Sequence, residues 1–334
     1  MSLETKTAGG ISTGQGFSFY EILRKYVIIF VFIFCIAVFG IINPKFLTLT
    51  NILNIFWQNS YLVVATLGMV FLLISGGVDL AAGYELSFGG VVAATSLVKW
   101  NLPIWAAVLL GIAVCVLFSA INGILAIKLK INSMMVTLGT MTIYSGISNI
   151  FTDQKAIYNL PDSFKFIGQG SVLGIPLPAI IMIIAVVIAS FILNLTYFGR
   201  YIYAVGGNTE AARLAGIKVN KIKMMIFILG GFFFGVAAIM LVARTGSANA
   251  SMASGSEFTC LTAAVLGGIA IQGGEGKIWS VIIAVFILGI LANGMQIIGL
   301  GIYAQYIAKG TILLAAMGFD TYQKTKAAKA PKLA

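Results

Sequence analysis

The stretch GGVDLAAGYELSFGGVVAA, residues 76–94, governs the interpretation of this chain. It follows a long apolar run, precedes another, and carries Asp79 and Glu85, although carboxylates at membrane depth are costly. A second stretch, GGIAIQGGEGKIWSVIIAV, residues 267–285, stands in a comparable position near the other end of the chain. The pair predicts an internal repeat with a glycine-rich turn in each half; the alternative is a chance likeness between glycine-rich sequences.

The composition around these turns is that of an integral membrane protein. Of the 334 residues, 60% are hydrophobic and only 9% are charged, which is too few for the surface of a water-soluble domain. Apolar runs of spanning or near-spanning length begin near Tyr26, Ile55, Tyr84, Leu102, Met134, Leu177, Met225, Phe258, Ile278 and Ile302. The sequence therefore predicts an all-α polytopic membrane protein of about ten transmembrane helices in two parallel-repeat halves. The third and eighth runs are short enough to be broken or re-entrant.

The distribution of basic residues predicts the orientation. With the amino terminus inside, 15 Lys and Arg residues fall on the inner side and 5 on the outer side, while Lys309 lies within the last span. Both termini are therefore predicted to be cytoplasmic. The predicted organisation is a cytoplasmic tail (1–25), a transmembrane domain (26–320) with an inner loop at about 197–223, and a basic cytoplasmic tail (321–334). The longest outer connection, at about 151–176, either folds over the mouth of the bundle, meets a partner or is a solvated loop.

The inner loop contains YAVGGNTEAARLAGIKVNK, residues 203–221, which predicts a short capped helix. Asn208 is a good N-cap, Glu210 suits the positive first turn, and Gly216 offers a left-handed stop. The alanines between them leave a low-relief face for another protein; the alternative is a plain helix on the membrane surface. The residues predicted to contact that protein are Asn208, Glu210, Ala211, Ala212, Arg213 and Gly216.

Polar residues inside the spans are candidates for a gate or a solute pathway. Asp79 and Glu85 either fill that role or are helix-end carboxylates with a structural one, whereas Glu257 is interpreted as marking the outer end of the eighth run. Lys309 either extends to the interface or pairs with a carboxylate. For most uncharged residues, hydrogen bonding between packed helices is the competing explanation. The gate or pathway candidates are Gly76, Gly77, Asp79, Glu85, Gln58, Ser60, Asn293 and Gln296.

The sequence argues against catalysis by this chain. There is no His, which removes imidazole catalysis and His-containing metal sites, and the three Cys lie inside apolar runs. An intramembrane protease would need a dyad that we do not find. GGEGKIW, from Gly273, lacks the spacing of a phosphate loop. We therefore expect no enzyme activity, metal or cofactor in this chain, and no nucleic-acid partner.

Several ordered motifs resemble the permease subunits of bacterial ABC importers for monosaccharides, the group that includes ribose, galactose and xylose transporters. The likeness runs from FLTLTNILNIFWQNS (46–60) to QYIAKGTILLAAMGFD (305–320). Its more specific parts are GGVDLAAG (76–83), TLGTM (137–141), GGNTEAARLAGI (206–217) and GGIAIQGGEG (267–276). The chain departs from the family at Ala81, Ser133-Met134 and Ile269-Ala270, where Ser, Pro-Phe and Thr-Ser are usual. These departures argue against an ordinary pentose or hexose as the solute, not against the architecture.

The resemblance implies the function and the partners. It implies a multi-pass permease of the bacterial inner membrane that moves a monosaccharide or sugar-like polar solute by alternating access. The implied partners are a second permease copy or paralogue, a cytoplasmic ATPase that binds ATP and Mg, a periplasmic or lipid-anchored solute-binding protein, and membrane lipid. The helix at Asn208–Gly216 would be the coupling helix. The alternative is an ion-coupled secondary transporter of a polar solute, which would place titratable groups along its pathway.

Overall fold

The computed structural model describes residues 19–329, and the side chains of 28–318, as a bundle of α-helices. The helices are α1 Phe19–Ile42, α2 Leu49–Ile74, α3 Ala82–Val98, α4 Ile104–Leu129, α5 Ser133–Thr152, α6 Asp162–Gln169, α7 Leu177–Leu195, α8 Tyr197–Gly207, α9 Thr209–Leu214, α10 Val219–Thr245, α11 Ser256–Leu266, α12 Ile278–Ile297 and α13 Ile302–Lys329. A 3₁₀ turn, Pro44–Leu47, and a two-stranded hairpin of β1 Ser171–Val172 and β2 Ile175–Pro176 complete the described elements.

Each of the ten predicted apolar runs coincides with a helix: α1 to α5, α7, and α10 to α13. Five of them, α2, α4, α7, α10 and α12, are long and apolar enough to cross a membrane. The chain is thus an all-α membrane protein, as predicted. The helices extend beyond the predicted transmembrane domain, because α1 begins at Phe19 and α13 continues to Lys329. The rest of the predicted tails, residues 1–18 and 330–334, lies outside the described residues.

Helix α10 forms the centre of the bundle, where it packs against α2, α3 and α4. Small residues allow this packing: a side chain added at Gly231 would meet the backbone of α4 at Cys115 and Val116 within 2.8 Å. Across the other face of α10, Phe233 stacks on Phe71 of α2 with ring centroids 5.7 Å apart. Close helix approach at small residues is typical of membrane proteins, because lipid supplies no hydrophobic drive between helices.

The third and eighth runs are short, as predicted. Residues 75–81 are not helical before α3 begins, and α11, with 11 residues, is flanked by the non-helical segments 246–255 and 267–277. At 1.5 Å per residue α11 is roughly 16 Å long, about half the thickness of a hydrocarbon core. Irregular backbone at membrane depth is tolerated where protein buries it, and residues 78–81 are all buried.

The outer connection is packed onto the bundle. Phe164 of α6 is fully buried, Trp57 of α2 donates its indole N–H to the carbonyl of Gly168, and Gln169 Nε2 donates to the carbonyl of Arg244 at 2.9 Å. A bridge between Ile157 and Ala248 joins the same connection to the segment after α10. Of the three interpretations of this connection, a purely solvated loop is wrong for residues 157–169.

Candidate functional site

The two glycine-rich turns have the same backbone geometry. After α2, Gly76 has φ +80° and the N–H of Gly77 donates to the carbonyl of Leu72 at 2.9 Å. After α11, Gly268 has φ +83° and the N–H of Ile269 donates to the carbonyl of Ala264 at 3.0 Å. Both are Schellman stops with a left-handed glycine. The left-handed glycine of the second turn is Gly268, whereas the predicted alignment set Gly76 against Gly267.

The end of α8 contacts the end of α2 and the later part, residues 273–276, of the second glycine-rich stretch. The N–H of Gly274 donates to the carbonyl of Ile74 at 2.8 Å, and the hydroxyl of Tyr203 donates to the carbonyl of Gly276 at 3.0 Å. A Cβ added to Gly206 would lie 1.8 Å from the oxygen of Ile74, so only glycine fits there. We call this contact of residues 74–76, 203–207 and 273–276 the glycine junction. It joins three segments that are far apart in sequence through close backbone contacts and the hydroxyl of Tyr203.

The predicted capped helix is α9, and it begins where the glycine junction ends. Asn208 ends α8 and caps α9, accepting a hydrogen bond from the N–H of Ala211 at 2.9 Å. Gly216 has φ +84°, as expected of a left-handed stop. Glu210 lies in the first turn and forms a 3.0 Å ion pair with Arg213. The Asn208 cap and the Gly216 stop are therefore confirmed, and α9 directly follows the helix that forms the glycine junction.

The exposed face of α9 differs from the prediction at two residues. Ala212 is buried, because it faces the body of the bundle, so it is not available to a partner and its prediction as a contact residue was wrong. Leu214 is 89% exposed, although no prediction included it. Its side chain lies beside the Glu210–Arg213 pair on the exposed side of α9.

Asp79 and Glu85 belong to a buried polar network. Both are fully buried, and the amide of Asn122 donates to Asp79 Oδ2 at 3.2 Å and to Glu85 Oε1 at 2.8 Å. The hydroxyl of Tyr144 donates to Asn122 Oδ1 at 2.9 Å, and Asp79 also accepts from the N–H of Ala81. The network connects α3, α4 and α5, which favours the structural role for both acids over direct contact with a solute.

The non-helical segment after Gly77 is held by hydroxyls of α5. Ser133 Oγ accepts a hydrogen bond from the N–H of Val78 at 3.0 Å, and Thr137 Oγ1 accepts one from the N–H of Leu80 at 3.0 Å. Buried backbone donors need such partners. Ser133, one of the departures from the family pattern, therefore supports the first glycine turn. The motif TLGTM draws attention to Thr137, but the sequence does not indicate its hydrogen-bond partner, Leu80, which is 57 residues away.

The remaining pathway candidates do not come together. Ser60 is buried and its hydroxyl donates to the carbonyl of Phe56 one turn earlier, as in an ordinary helix. Asn293 exchanges two hydrogen bonds with Asn51, at 2.9 and 3.0 Å, which ties α12 to α2. Gln58 and Gln296 are exposed.

Comparison with known proteins identifies the family. The family described as "Branched-chain amino acid transport system / permease component" matches residues 51–317. The ribose import permease protein of Haemophilus influenzae is 38% identical over 298 residues, which cover 88% of this chain and 92% of the relative. The L-arabinose transport system permease protein of Escherichia coli is 36% identical over 321 residues, covering 96% and 98%.

A third similar protein also covers almost the whole chain. The D-allose transport system permease protein of Escherichia coli is 33% identical over 321 residues, covering 96% of this chain and 98% of the relative. No solved structure matches the chain significantly. The family match covers most of the chain and includes both glycine turns, the glycine junction and α9. This chain therefore belongs to the family of permease components of transport systems.

Proposed function

We propose that this chain is the transmembrane permease subunit of an ATP-driven ABC importer for a monosaccharide. One observation carries the proposal: the end of α8, which leads directly into the capped helix α9, is in close backbone contact with the end of α2 and with Gly274 at the glycine junction. A force on α9 would thus be transmitted through α8 to the end of α2 and to the segment that follows α11. The names of the similar permeases, for ribose, L-arabinose and D-allose, support the solute class.

The partners follow from this function. A cytoplasmic ATPase binds ATP and Mg and contacts α9 at Glu210, Ala211, Arg213 and Leu214, while Asn208 and Gly216 shape the helix. A periplasmic or lipid-anchored binding protein delivers the solute to the outer face, and a second permease, identical or paralogous, completes the pathway. This chain performs no hydrolysis. It alternates access by moving the glycine turns at Gly76 and Gly268.

The proposed topology has ten crossings of the bacterial cytoplasmic membrane in two repeated halves, with both termini inside. Ten apolar runs that are all helical support it, as does the excess of basic residues on the inner side. The common Schellman geometry after α2 and α11 supports the repeat. Asp79, Glu85 and Asn122 then stabilise the first glycine turn and do not line the solute pathway.

The solute class is open to two descriptions. The family description refers to branched-chain amino acids, whereas the similar proteins quoted above are named for pentoses and a hexose. We favour a monosaccharide because those similarities extend over almost the whole chain. The departure from the family pattern at Ser133 does not argue against a monosaccharide, because the Ser133 hydroxyl accepts a hydrogen bond from the backbone N–H of Val78 and thus has a role in the fold.

The test is reconstitution of this chain with its ATPase and binding protein in proteoliposomes. Uptake of labelled D-ribose, L-arabinose, D-allose and L-leucine is measured, together with ATP hydrolysis. We expect at least one sugar to be taken up and to stimulate ATP hydrolysis. A complex that takes up only leucine would contradict the sugar assignment, and a chain that binds no ATPase would contradict the proposal as a whole.

The same reconstituted preparation distinguishes the importer from an ion-coupled secondary transporter. Buried acids such as Asp79, Glu85 and Glu257 are the feature that would favour it. Uptake that stops when ATP is withheld, and that continues when ionophores dissipate the ion gradients, is the result expected of the importer. The reverse pattern would establish the secondary transporter.

A further inference from the structure

Helix α3 begins among three buried acids. Asp79 lies just before the helix, Glu85 lies in its first turn, and Glu257 of α11 packs against Gly83. Each of the three is at most 1% exposed. Burial of a charged carboxylate is costly unless a cation or several hydrogen-bond donors compensate the charge. The partners of each acid therefore indicate which of them is ionised.

Asp79 has the surroundings of an ionised carboxylate. Its Oδ1 accepts a hydrogen bond from the backbone N–H of Ala81 at 2.9 Å, and its Oδ2 accepts one from the amide of Asn122 at 3.2 Å. Asp79 also lies at the amino-terminal end of α3, where the helix dipole favours negative charge. Ala81, the N-cap residue of this helix, supplies no side-chain acceptor, so Asp79 provides the one that is missing.

Glu85 lacks these surroundings. Its Oε1 accepts a hydrogen bond from the amide of Asn122 at 2.8 Å, but its Oε2 is buried and has no donor among the described residues. The amide has two N–H groups and uses them on the two acids. The carboxyl groups of Asp79 and Glu85 also lie within hydrogen-bonding reach of each other. A proton on Glu85 would supply the missing donor and would replace a repulsion between two carboxylates by a hydrogen bond.

The titratable groups that face this pair do not supply the missing donor. The thiol of Cys115 in α4 donates to the backbone carbonyl of Glu85 at 3.2 Å. The hydroxyl of Tyr144 in α5 donates to Asn122 Oδ1 at 2.9 Å. Glu257 of α11 is itself an acid, and its Oε1 accepts a hydrogen bond from the backbone of α11's N-cap residue. Both donors are thus already used, and the third group adds no positive charge.

The cations of the surrounding helices have other neighbours. Lys223, at the start of α10, lies near Arg213 of α9, while Arg244 at the end of α10 stacks on the ring of Tyr61, 5.5 Å from its centroid. Lys309 of α13 donates to a threonine hydroxyl of α11 at 3.4 Å. No salt bridge among the described residues includes any of the three acids. The remaining cations of α4 and α10 are exposed: Lys128 and Lys221.

We propose that Glu85 binds a proton at neutral pH and donates it in a hydrogen bond to the carboxylate of Asp79, so that the two acids together carry one negative charge. The inference goes beyond the proposed function and does not depend on it. The bound proton acts as a ligand of the folded chain at the start of α3. In the unfolded chain a glutamic acid is ionised at neutral pH, so the folded chain binds one proton more and its stability falls as the pH rises.

Infrared spectroscopy of the full chain, purified in a maltoside detergent, tests this assignment directly. The C=O stretch of a protonated carboxyl group is separate from the bands of carboxylates and amides, and this detergent has no ester carbonyl that overlaps with it. We expect the spectrum of the wild type minus that of Glu85→Gln, at neutral pH, to contain this band. A proton on Glu257 would be present in both spectra and would cancel. Asp162→Asn, at a carboxylate whose side chain is 97% exposed, is the matched control and should give no such band.

Thermal unfolding of two amide variants then identifies the acid that carries the proton. Glutamine at position 85 has the shape of the neutral acid and can both accept from Asn122 and donate to Asp79. Glu85→Gln should therefore unfold at the wild-type temperature or higher, and should lose part of the decline that the wild type shows from about pH 5 to about pH 8. Asp79→Asn has one acceptor oxygen in place of two, which leaves a buried donor unpaired, so it should unfold several degrees earlier.

Three results would overturn the assignment. Absence of the infrared band would show that Glu85 is ionised. A band that persists in Glu85→Gln and disappears in Asp79→Asn would place the proton on the other acid. A Glu85→Gln chain that fails to fold, or unfolds as early as Asp79→Asn, would show that the site does not hold a neutral acid. None of these measurements involves transport, so each of these results would leave the proposed function intact.

Discussion

Substitution of Gly206 by alanine tests whether the glycine junction transmits motion from α9. The new Cβ would lie 1.8 Å from the oxygen of Ile74 and 2.6 Å from the nitrogen of Gly274. An ordinary contact needs about 3.4 Å, so α8 and the end of α2 must separate by about 1.6 Å. That separation also breaks or stretches the hydrogen bond from Gly274 to Ile74.

The magnitude follows from these contacts. Overpacking of a close contact costs about 1–3 kcal/mol, and the lost hydrogen bond costs about 0.5–1.5 kcal/mol. Alanine is favoured over glycine in a helix by about 1 kcal/mol, which offsets part of the loss because Gly206 lies in α8. We therefore expect a net destabilisation of the junction of about 1–3 kcal/mol. The rest of the bundle is unaffected, so the chain should still fold.

The assay is uptake and ATP hydrolysis by the reconstituted transporter. We expect Gly206→Ala to reduce solute uptake about tenfold while ATP hydrolysis continues, because the ATPase still binds α9 but no longer moves the glycine turns.

Gly207→Ala is the matched control for this substitution. It lies next in sequence in the same helix, and an added Cβ there meets nothing within 4 Å. It should change uptake less than twofold. Equal uptake by the two variants would refute the idea that the junction is the mechanical link.

Three further predictions concern single residues. Leu214→Ser should weaken copurification of the ATPase at least severalfold without lowering the thermal stability of the permease, whereas Leu173→Ser, at an equally exposed leucine on the outer hairpin, should not; unchanged recovery of the ATPase would exclude Leu214 as an anchor. Asn122→Ala leaves two buried carboxyl groups without their amide donor and should lower stability by about 3 kcal/mol, measured by thermal unfolding in detergent; a loss below about 1 kcal/mol would contradict the network. Ser133→Ala removes the acceptor for the N–H of Val78 and should cost about 1 kcal/mol in the same measurement, with uptake selectivity unchanged; altered selectivity would assign Ser133 a role with the solute.

Features set by neighbouring residues could be predicted from the sequence. The ten helical runs follow from apolar composition alone. The cap at Asn208 and the stop at Gly216 are local backbone preferences, so they are readable without the fold. Charge placement predicted that α9 and both glycine-rich stretches share the inner side, and in the structure the end of α8, just before α9, contacts residues of both stretches.

Features that depend on distant residues could not be predicted. Glu257 opens α11, as interpreted from the sequence, but its burial follows from its packing on Gly83, far away along the chain. Ala212 faces inward because of where α9 lies against the bundle, which composition does not indicate. The two Gly-Gly sequences that begin at Gly76 and Gly267 can be aligned in two registers. Only the φ angles show that the left-handed residues of the two turns are Gly76 and Gly268.

The glycine junction also has a consequence for the synthesis of the protein in the membrane. α9 is attached to α8, whose end contacts residues 273–276, and these leave the ribosome only after α10 and α11 have been made. Contacts between distant segments form late, when the intervening chain has been inserted and packed. The face of α9 that we propose contacts the ATPase is therefore supported only in a nearly complete permease. An ATPase that requires this support cannot assemble productively on a truncated or half-inserted chain.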